Sequence, residues 1–287
     1  MSFKAALIQL TSGDDPVANL RMTQEYLRAA AGQGAAIALT PEVTNCVSSS
    51  KAHQDRILRK EAEDETLAGL RDTARDLGIW VLIGSLAVKT SDPDGRFANR
   101  SFLIDPKGDI RAKYDKIHMF DVQVSETETY RESAGFRPGK RTVVAQTPLA
   151  AFGLSICYDL RFPYLYRALA KAGAEVLSVP AAFSPVTGIA HWQTLLRARA
   201  IETGCFVLAP AQTGRHVASE GRARTTYGHS LAVSPWGEIL LDMGTEPGVG
   251  IVQIDLARVV EARDRVPSLF HDRDVEAACP DDHEPEK

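Results

Sequence analysis

Residues 62–86 read AEDETLAGLRDTARDLGIWVLIGSL, and this stretch decides the fold class. A helix-period segment from about Ala62 to Leu77 stops at Gly78, and the apolar run IWVLIGSL follows at once as a strand. Upstream, Ala35 to Thr40 forms another strand. Before it, Asp15-Pro16 opens a helix with apolar residues at Val17, Leu20, Leu27 and Ala30, which Gly32 and Gly34 stop. Phe3 to Leu10 is the first strand. The order β-α-β-α-β places the chain in the α/β class.

Downstream the character changes. SDPDG and DPKGD are turn sequences around FANRSFLI and IRAKYDKI, so these strands are joined as hairpins. The alternation resumes with VVAQTPL, FGLSIC, a helix at Pro163 to Ala172, the strand EVLSVPA and a helix around Ala190 to Ile201. CFVLAPAQ, HSLAVSP, EILLDM and VGIVQIDL supply late strands, and LARVVEARDRV a last amphipathic segment. No composition break marks a linker. The expectation is a single domain over residues 1–275, made of two sheets with helices outside, and an acidic, disordered tail over 276–287. No repeat period is visible, although two halves of similar strand-helix order could hide a structural pseudo-repeat.

The chain has 287 residues, with 33 Lys and Arg against 37 Asp and Glu, a formal net charge of −4. A general nucleic-acid binder needs a clustered basic excess, so that class is excluded. With 44% hydrophobic and 24% charged residues the composition is that of a globular protein. Cys46, Cys157, Cys205 and Cys279 contain no C-x-x-C pair, which argues against disulfide scaffolds and cysteine-rich zinc modules. The first residues lack the long apolar core of a signal peptide, and no apolar run reaches the roughly 18 residues of a membrane span. The expected compartment is the cytoplasm, with no membrane partner.

In an α/β sheet, ligands bind beyond the carboxyl ends of the strands. Three polar residues sit there: Glu42 after AAIALTP begins to turn, Lys116 at the end of IRAKYDK, and Cys157 at the end of FGLSIC. Singly each has a bland reading, as a solvated loop acid, a surface lysine and a small buried hydrophobe. Together they are chemically coherent. A thiol needs a base, a cation or a helix N-terminus to attack at neutral pH, and the strand-to-helix turn at Cys157 offers the last of these. Glu42 could take the thiol proton, and Lys116 could stabilise an oxyanion. GLSIC is not a G-x-S-x-G elbow, the seven histidines show no zinc spacing, and neither G-x-G-x-x-G nor a P-loop is present. A cysteine–histidine pair using His191, His216 or His229 remains open on spacing alone.

TPE with Glu42, YDKIHMFD with Lys116 and ICYDLRFP with Cys157, in that order, resemble the signature segments of the nitrilase, or carbon–nitrogen hydrolase, superfamily. The resemblance spans about Lys4 to Asp255. It implies a four-layer α-β-β-α sandwich, a homodimer or higher homo-oligomer, a Glu-Lys-Cys triad, and neither metal nor organic cofactor. It also implies a second glutamate before a P-G turn, a slot filled by Glu132 in YRESAGFRPG, with Glu126 and Glu128 as neighbouring alternatives. Longer strings, among them CYDLRFPYLYRALAKAGAEVLSVPAAFS and GHSLAVSPWGEIL, are similar to the Nit branch that acts on deaminated glutathione. Two departures, RAIETG for R-A-I-E-N-Q and SPWG for D-P-W-G, leave substrate detail and local capping open.

The function so implied is hydrolysis of the amide of a small carboxylate-bearing substrate to acid plus ammonia. An ω-amidase on α-ketoglutaramate, an N-carbamoyl amino-acid hydrolase and a non-catalytic binding partner are the alternatives. Arg161 matches a position used for a substrate carboxylate; the competing reading pairs it with Asp159. Tyr158 is expected to lend its backbone N–H to the oxyanion, and Phe183 and Ser184 to line the pocket wall. Trp192 and Trp236 are expected in the core, as are Cys46 and Cys205.

Overall fold

The computed structural model describes residues 1–124, 126 and 129–275. Glu128, Cys279 and the expected tail lie outside the described residues. Chain order runs β1 (Ser2–Gln9), α1 (Pro16–Gly32), β2 (Ile37–Leu39), α2 (Lys51–Ile57), α3 (Glu65–Leu77), β3 (Trp80–Lys89), β4 (Phe97–Ile104), β5 (Ile110–Asp115), β6 (Asp121–Gln123) and β7 (Thr129–Arg131). It continues with β8 (Val143–Gln146), β9 (Ala151–Leu154), α4 (Pro163–Lys171), β10 (Val176–Ser178), α5 (Pro185–Thr203), β11 (Phe206–Ala209), β12 (Thr213–His216), β13 (Arg224–Tyr227), β14 (Leu231–Val233), β15 (Ile239–Asp242), β16 (Gly248–Asp255) and α6 (Ala257–Arg265).

Two six-stranded sheets carry the fold, in the orders β16-β1-β2-β3-β4-β5 and β15-β14-β11-β10-β9-β8. Each has the same pattern. Three central strands are parallel, β1-β2-β3 in one and β9-β10-β11 in the other, with one antiparallel strand on one side and two on the other. The pseudo-repeat that the sequence hid is therefore present in topology. The central strands are buried on both faces, as parallel strands covered by helices must be.

Side chains sort by strand parity. Ala6, Ile8, Ala38, Val81 and Ile83 face outward to Leu27, Ala30, Leu67, Leu70 and Ala74 on α1 and α3. Phe3, Ala5, Leu7, Leu39 and Leu82 face inward to the second sheet, where the rings of Phe3 and Phe152 lie 6.5 Å apart. Leu165, Leu169, Trp192 and Leu196 of α4 and α5 close the other side. The result is the expected four-layer α-β-β-α sandwich. Among the described residues, no helix is long and apolar enough to cross a membrane.

Several boundaries differ from the sequence expectation. α3 begins at Glu65, because the Asp64 carboxylate accepts the Leu67 N–H at 2.8 Å and fixes the start there. α5 begins at Pro185, earlier than Ala190. α2 and the hairpins β6–β7 and β12–β13 were not foreseen. Trp192 is buried as expected, but Trp236 is 47% exposed, with Arg265 over its ring. The two sequence departures cost little. Ser234 Oγ accepts from Trp236 N and Glu238 N, as an aspartate there would, and Gly204 ends α5 in the left-handed region.

At Gly84 a Cβ would stand 2.0 Å from Thr40 O, just beyond the neighbouring strand, and 2.5 Å from Pro180 Cβ of the second sheet's loop. Those neighbours are backbone and ring, which cannot move aside. Gly84→Ala is therefore expected to lower unfolding free energy in urea by about 2–3 kcal/mol. An unchanged midpoint would contradict this packing.

Candidate active site

The Thr40-Pro41-Glu42 segment leaves β2 and is held by the next strand: Thr40 N donates to Leu82 O at 3.0 Å and Ser85 N to Pro41 O at 3.2 Å. Val43, which follows, takes φ 47°, and Ser85 Oγ accepts its N–H at 2.8 Å. Cys157 takes φ 49°. Among the described residues only three non-glycine residues have positive φ, and two of them are this thiol and the neighbour of Glu42. Such strain persists only where surroundings impose it. At Cys157 they do so through its N–H to Pro180 O, 2.9 Å, and through Asp159.

Asp159, fully buried, accepts from Tyr114 Oη at 2.7 Å, Ile156 N at 2.9 Å and His118 N at 3.0 Å, and its Oδ1 lies 2.6 Å from His118 Nδ1. It ties the loop carrying Lys116 to the loop carrying Cys157. It does not pair with Arg161.

The three candidate groups converge. Lys116, 2% exposed, donates to Glu42 Oε1 at 2.8 Å and to Glu132 Oε1 and Oε2 at 2.9 and 2.8 Å. Glu42 Oε2 accepts the Ala182 N–H at 2.9 Å, and the Cys157 thiol lines the same cavity, near enough for the Glu42 charge to act on it. Of the glutamates near the P-G turn, Glu132 reaches Lys116; Glu126 is exposed. Glu132 also accepts the Phe120 N–H at 2.7 Å. All four side chains line one cavity of about 380 Å³, together with Tyr158, Phe183 and Ser184. Tyr158 N–H makes no hydrogen bond among the described residues, and so is free to act as a donor.

The charges set the protonation states. Burial opposes the Glu42 carboxylate, but the Lys116 charge and hydrogen bond, with the Arg224 charge, hold it below the usual carboxylate range. Burial opposes the Lys116 ammonium, and Glu132 and Glu42 outweigh it, so Lys116 stays charged. Burial and then the Glu42 charge push the Cys157 thiol up, with Lys116 opposing only in part. The expected activation by a helix N-terminus is absent. Cys157 opens a short 3₁₀ turn that runs to Arg161, and α4 starts only at Pro163. The thiol rests protonated beside an ionised base.

That 3₁₀ turn also relocates Arg161. With three residues per turn, position i+4 rotates off the face of residue i. Arg161 does not line the cavity; its guanidinium lies over Phe183 and Tyr158, and Nη1 is 3.2 Å from His191 Nδ1. Nor do His191, His216 or His229 line it, which removes the cysteine–histidine alternative. Cys205 is buried as expected, whereas Cys46, also buried, reaches the cavity wall.

Among the lining residues that escaped the sequence reading, two bear on the catalytic carboxylates. Asn99 Nδ2 donates to Glu42 Oε1 at 2.9 Å and lies 3.4 Å from Glu132 Oε1, bridging both carboxylates. A buried asparagine inside the apolar run FANRSFLI is the signal that could have found it. Arg224, on β13, places a guanidinium in the cavity wall and donates to Ala182 O.

Comparison with known proteins matches residues 4–264 to the carbon–nitrogen hydrolase family model. A protein of Yersinia enterocolitica named deaminated glutathione amidase is 39% identical over 283 residues, covering 96% of this chain and 94% of that one. The crystal structure of the Caenorhabditis elegans NitFhit protein superposes with a TM-score of 0.87 at 35% identity over 95% of this chain, which spans 65% of that protein. The structure of Saccharomyces cerevisiae Nit3, a member of branch 10 of the nitrilase superfamily, gives a TM-score of 0.80 at 27% identity, covering 93% and 94% of the two chains.

The site predicts its own titration. Thiolate absorbance belonging to Cys157, taken as wild type minus Cys157→Ser, is expected only above the ordinary thiol value of 9.0. A difference signal already present at neutral pH would contradict it.

Proposed function

The chain belongs to the carbon–nitrogen hydrolase family, and from that premise we propose that it is a cysteine-dependent amidase acting on deaminated glutathione. The observation that carries the chemistry is the Glu42–Lys116 ion pair at 2.8 Å with the Cys157 thiol on the same cavity wall. The substrate class is supported by the named relative and by the cavity lining. Lys51, Lys116, Arg131 and Arg224 face only Glu42 and Glu132 there, and a positive lining suits an anionic amide.

Cys157 Sγ attacks the amide carbonyl carbon as its proton passes to Glu42. The carbonyl electron pair moves to oxygen, where the Lys116 charge and the Tyr158 N–H stabilise it. The tetrahedral species collapses as Glu42 returns the proton to the leaving nitrogen. A water then gives its proton to Glu42 and attacks the thioester carbon; the acid departs and Cys157 regains its proton. Glu132 acts through Lys116 by holding the ammonium in place. In deaminated glutathione the scissile amide joins a 2-oxo acid unit to cysteinylglycine. The leaving group is therefore that dipeptide's amine, in place of the ammonia expected of a simple amide.

Three buried free thiols, Cys46, Cys157 and Cys205, support a reducing compartment such as the cytoplasm. Exposed apolar side chains on and beside α4 and α5, namely Tyr164, Val186, Ile189 and Ile201, support a homodimer formed through that face. Light scattering is expected to give twice the chain mass, falling to one chain in Ile189→Asp; a wild-type monomer would contradict the dimer.

Incubation with deaminated glutathione is expected to release 2-oxoglutarate and cysteinylglycine in equal amounts. Cys157→Ser, Glu42→Gln and Lys116→Ala should each lower kcat by about a thousandfold or more, and combining them should add little. Near-wild-type turnover in any one of these would remove that residue from the mechanism. Turnover confined to simple primary amides, with ammonia released, would overturn the substrate assignment.

A further inference from the structure

One end of the cavity contains two buried polar atoms without a partner. Ser184 is 1% exposed, and its Oγ makes no hydrogen bond among the described residues. It precedes α5 at the N-cap position but does not cap the helix. Arg224 Nε is likewise buried without a partner, while Nη2 donates to Ala182 O and the guanidinium lies 5.5 Å from the Tyr130 ring centre. A native interior seldom leaves such donors unmatched unless something arrives to match them.

Ser184 immediately precedes α5, and Arg224 donates to Ala182 O in the segment leading into it. That helix is 19 residues long, starts with Pro185, and has no acidic residue in its first turn. Its free amides and dipole therefore favour an anion at that end, and Thr187 of the first turn lines the same cavity. A hydroxyl, a guanidinium and a helix N-terminus together complement a carboxylate.

We propose that Ser184, Arg224 and the N-terminus of α5 form a carboxylate subsite that binds the 2-oxo acid end of the substrate. The proposal rests on the amidase reading and deepens it by naming what selects the acid. The distance suits the chemistry. Ala182 accepts from Arg224 through its carbonyl and donates to Glu42 through its amide, so the guanidinium lies about one residue from the catalytic carboxylate. An extended 2-oxo acid chain separates its carboxylate from the scissile carbonyl by about 5 Å.

The test is a binding measurement in the inactive Cys157→Ala chain, with 2-oxoglutarate as the probe, beside kinetics in the active enzyme. Adding Arg224→Gln should weaken calorimetric affinity about ten- to a hundredfold, with Arg224→Lys recovering part, and Ser184→Ala about fivefold. In the active enzyme Arg224→Gln should lower kcat/KM for an amide bearing the free carboxylate at least about tenfold more than for its methyl ester, whatever loss the two share through Glu42. An unchanged affinity, or equal loss on acid and ester, overturns the subsite. If wild type turns over neither amide while Arg224→Gln still weakens 2-oxoglutarate, the amidase reading fails and the subsite stands.

Discussion

One buried ammonium, Lys116, stands between two carboxylates supplied by distant parts of the chain, Glu42 beyond β2 and Glu132 beyond β7. Placing any one of these charges in the interior alone would cost several kcal/mol. Together, with Asn99 bridging the two carboxylates, they are tolerable. The cluster still carries a net negative charge; burial, and then the Glu42 charge, keep the neighbouring Cys157 a thiol. A nucleophile that rests neutral must lose its proton as it attacks, so the base has to be in contact already. Glu42, on the same cavity wall as Cys157, is placed to meet that requirement.

The sandwich makes the cluster possible. Parallel strands of the two sheets deliver Glu42 from β2 and Cys157 from β9, and the facing sheets bring their carboxyl ends together. Lys116 arrives from β5 at an edge, and Asp159 clamps its loop to the nucleophile loop through His118, Tyr114 and Ile156. The positive φ of Val43 and Cys157 is where this convergence strains the backbone. Gly84 lets the layers approach closely enough for it.

Much of this was legible in the sequence because glycine and proline punctuate the first half so clearly, and because Glu42, Lys116 and Cys157 each follow an apolar run. The second glutamate and the four layers came from family resemblance; no periodicity specified them. Strands such as TGRH and RTTY carry too few apolar residues to alternate, so β12 and β13 were invisible and Arg224 with them. Arg161 was misplaced for a different reason. Its expected reach assumed an α-helical turn after Cys157, and the 3₁₀ turn rotates it away. Three residues of β2 and the short α2 show the same limit, since elements this short are fixed by tertiary contacts and capping more than by pattern.

The central claim is that Glu132 acts only through Lys116, and a double-mutant cycle on kcat tests it most directly. Glu132→Gln, Lys116→Met and the double variant would be compared with wild type under saturating substrate. The account predicts that the double variant is no slower than Lys116→Met alone, a coupling of about 2 kcal/mol or more. Losses that simply add would mean that Glu132 works on the substrate independently, and would contradict it.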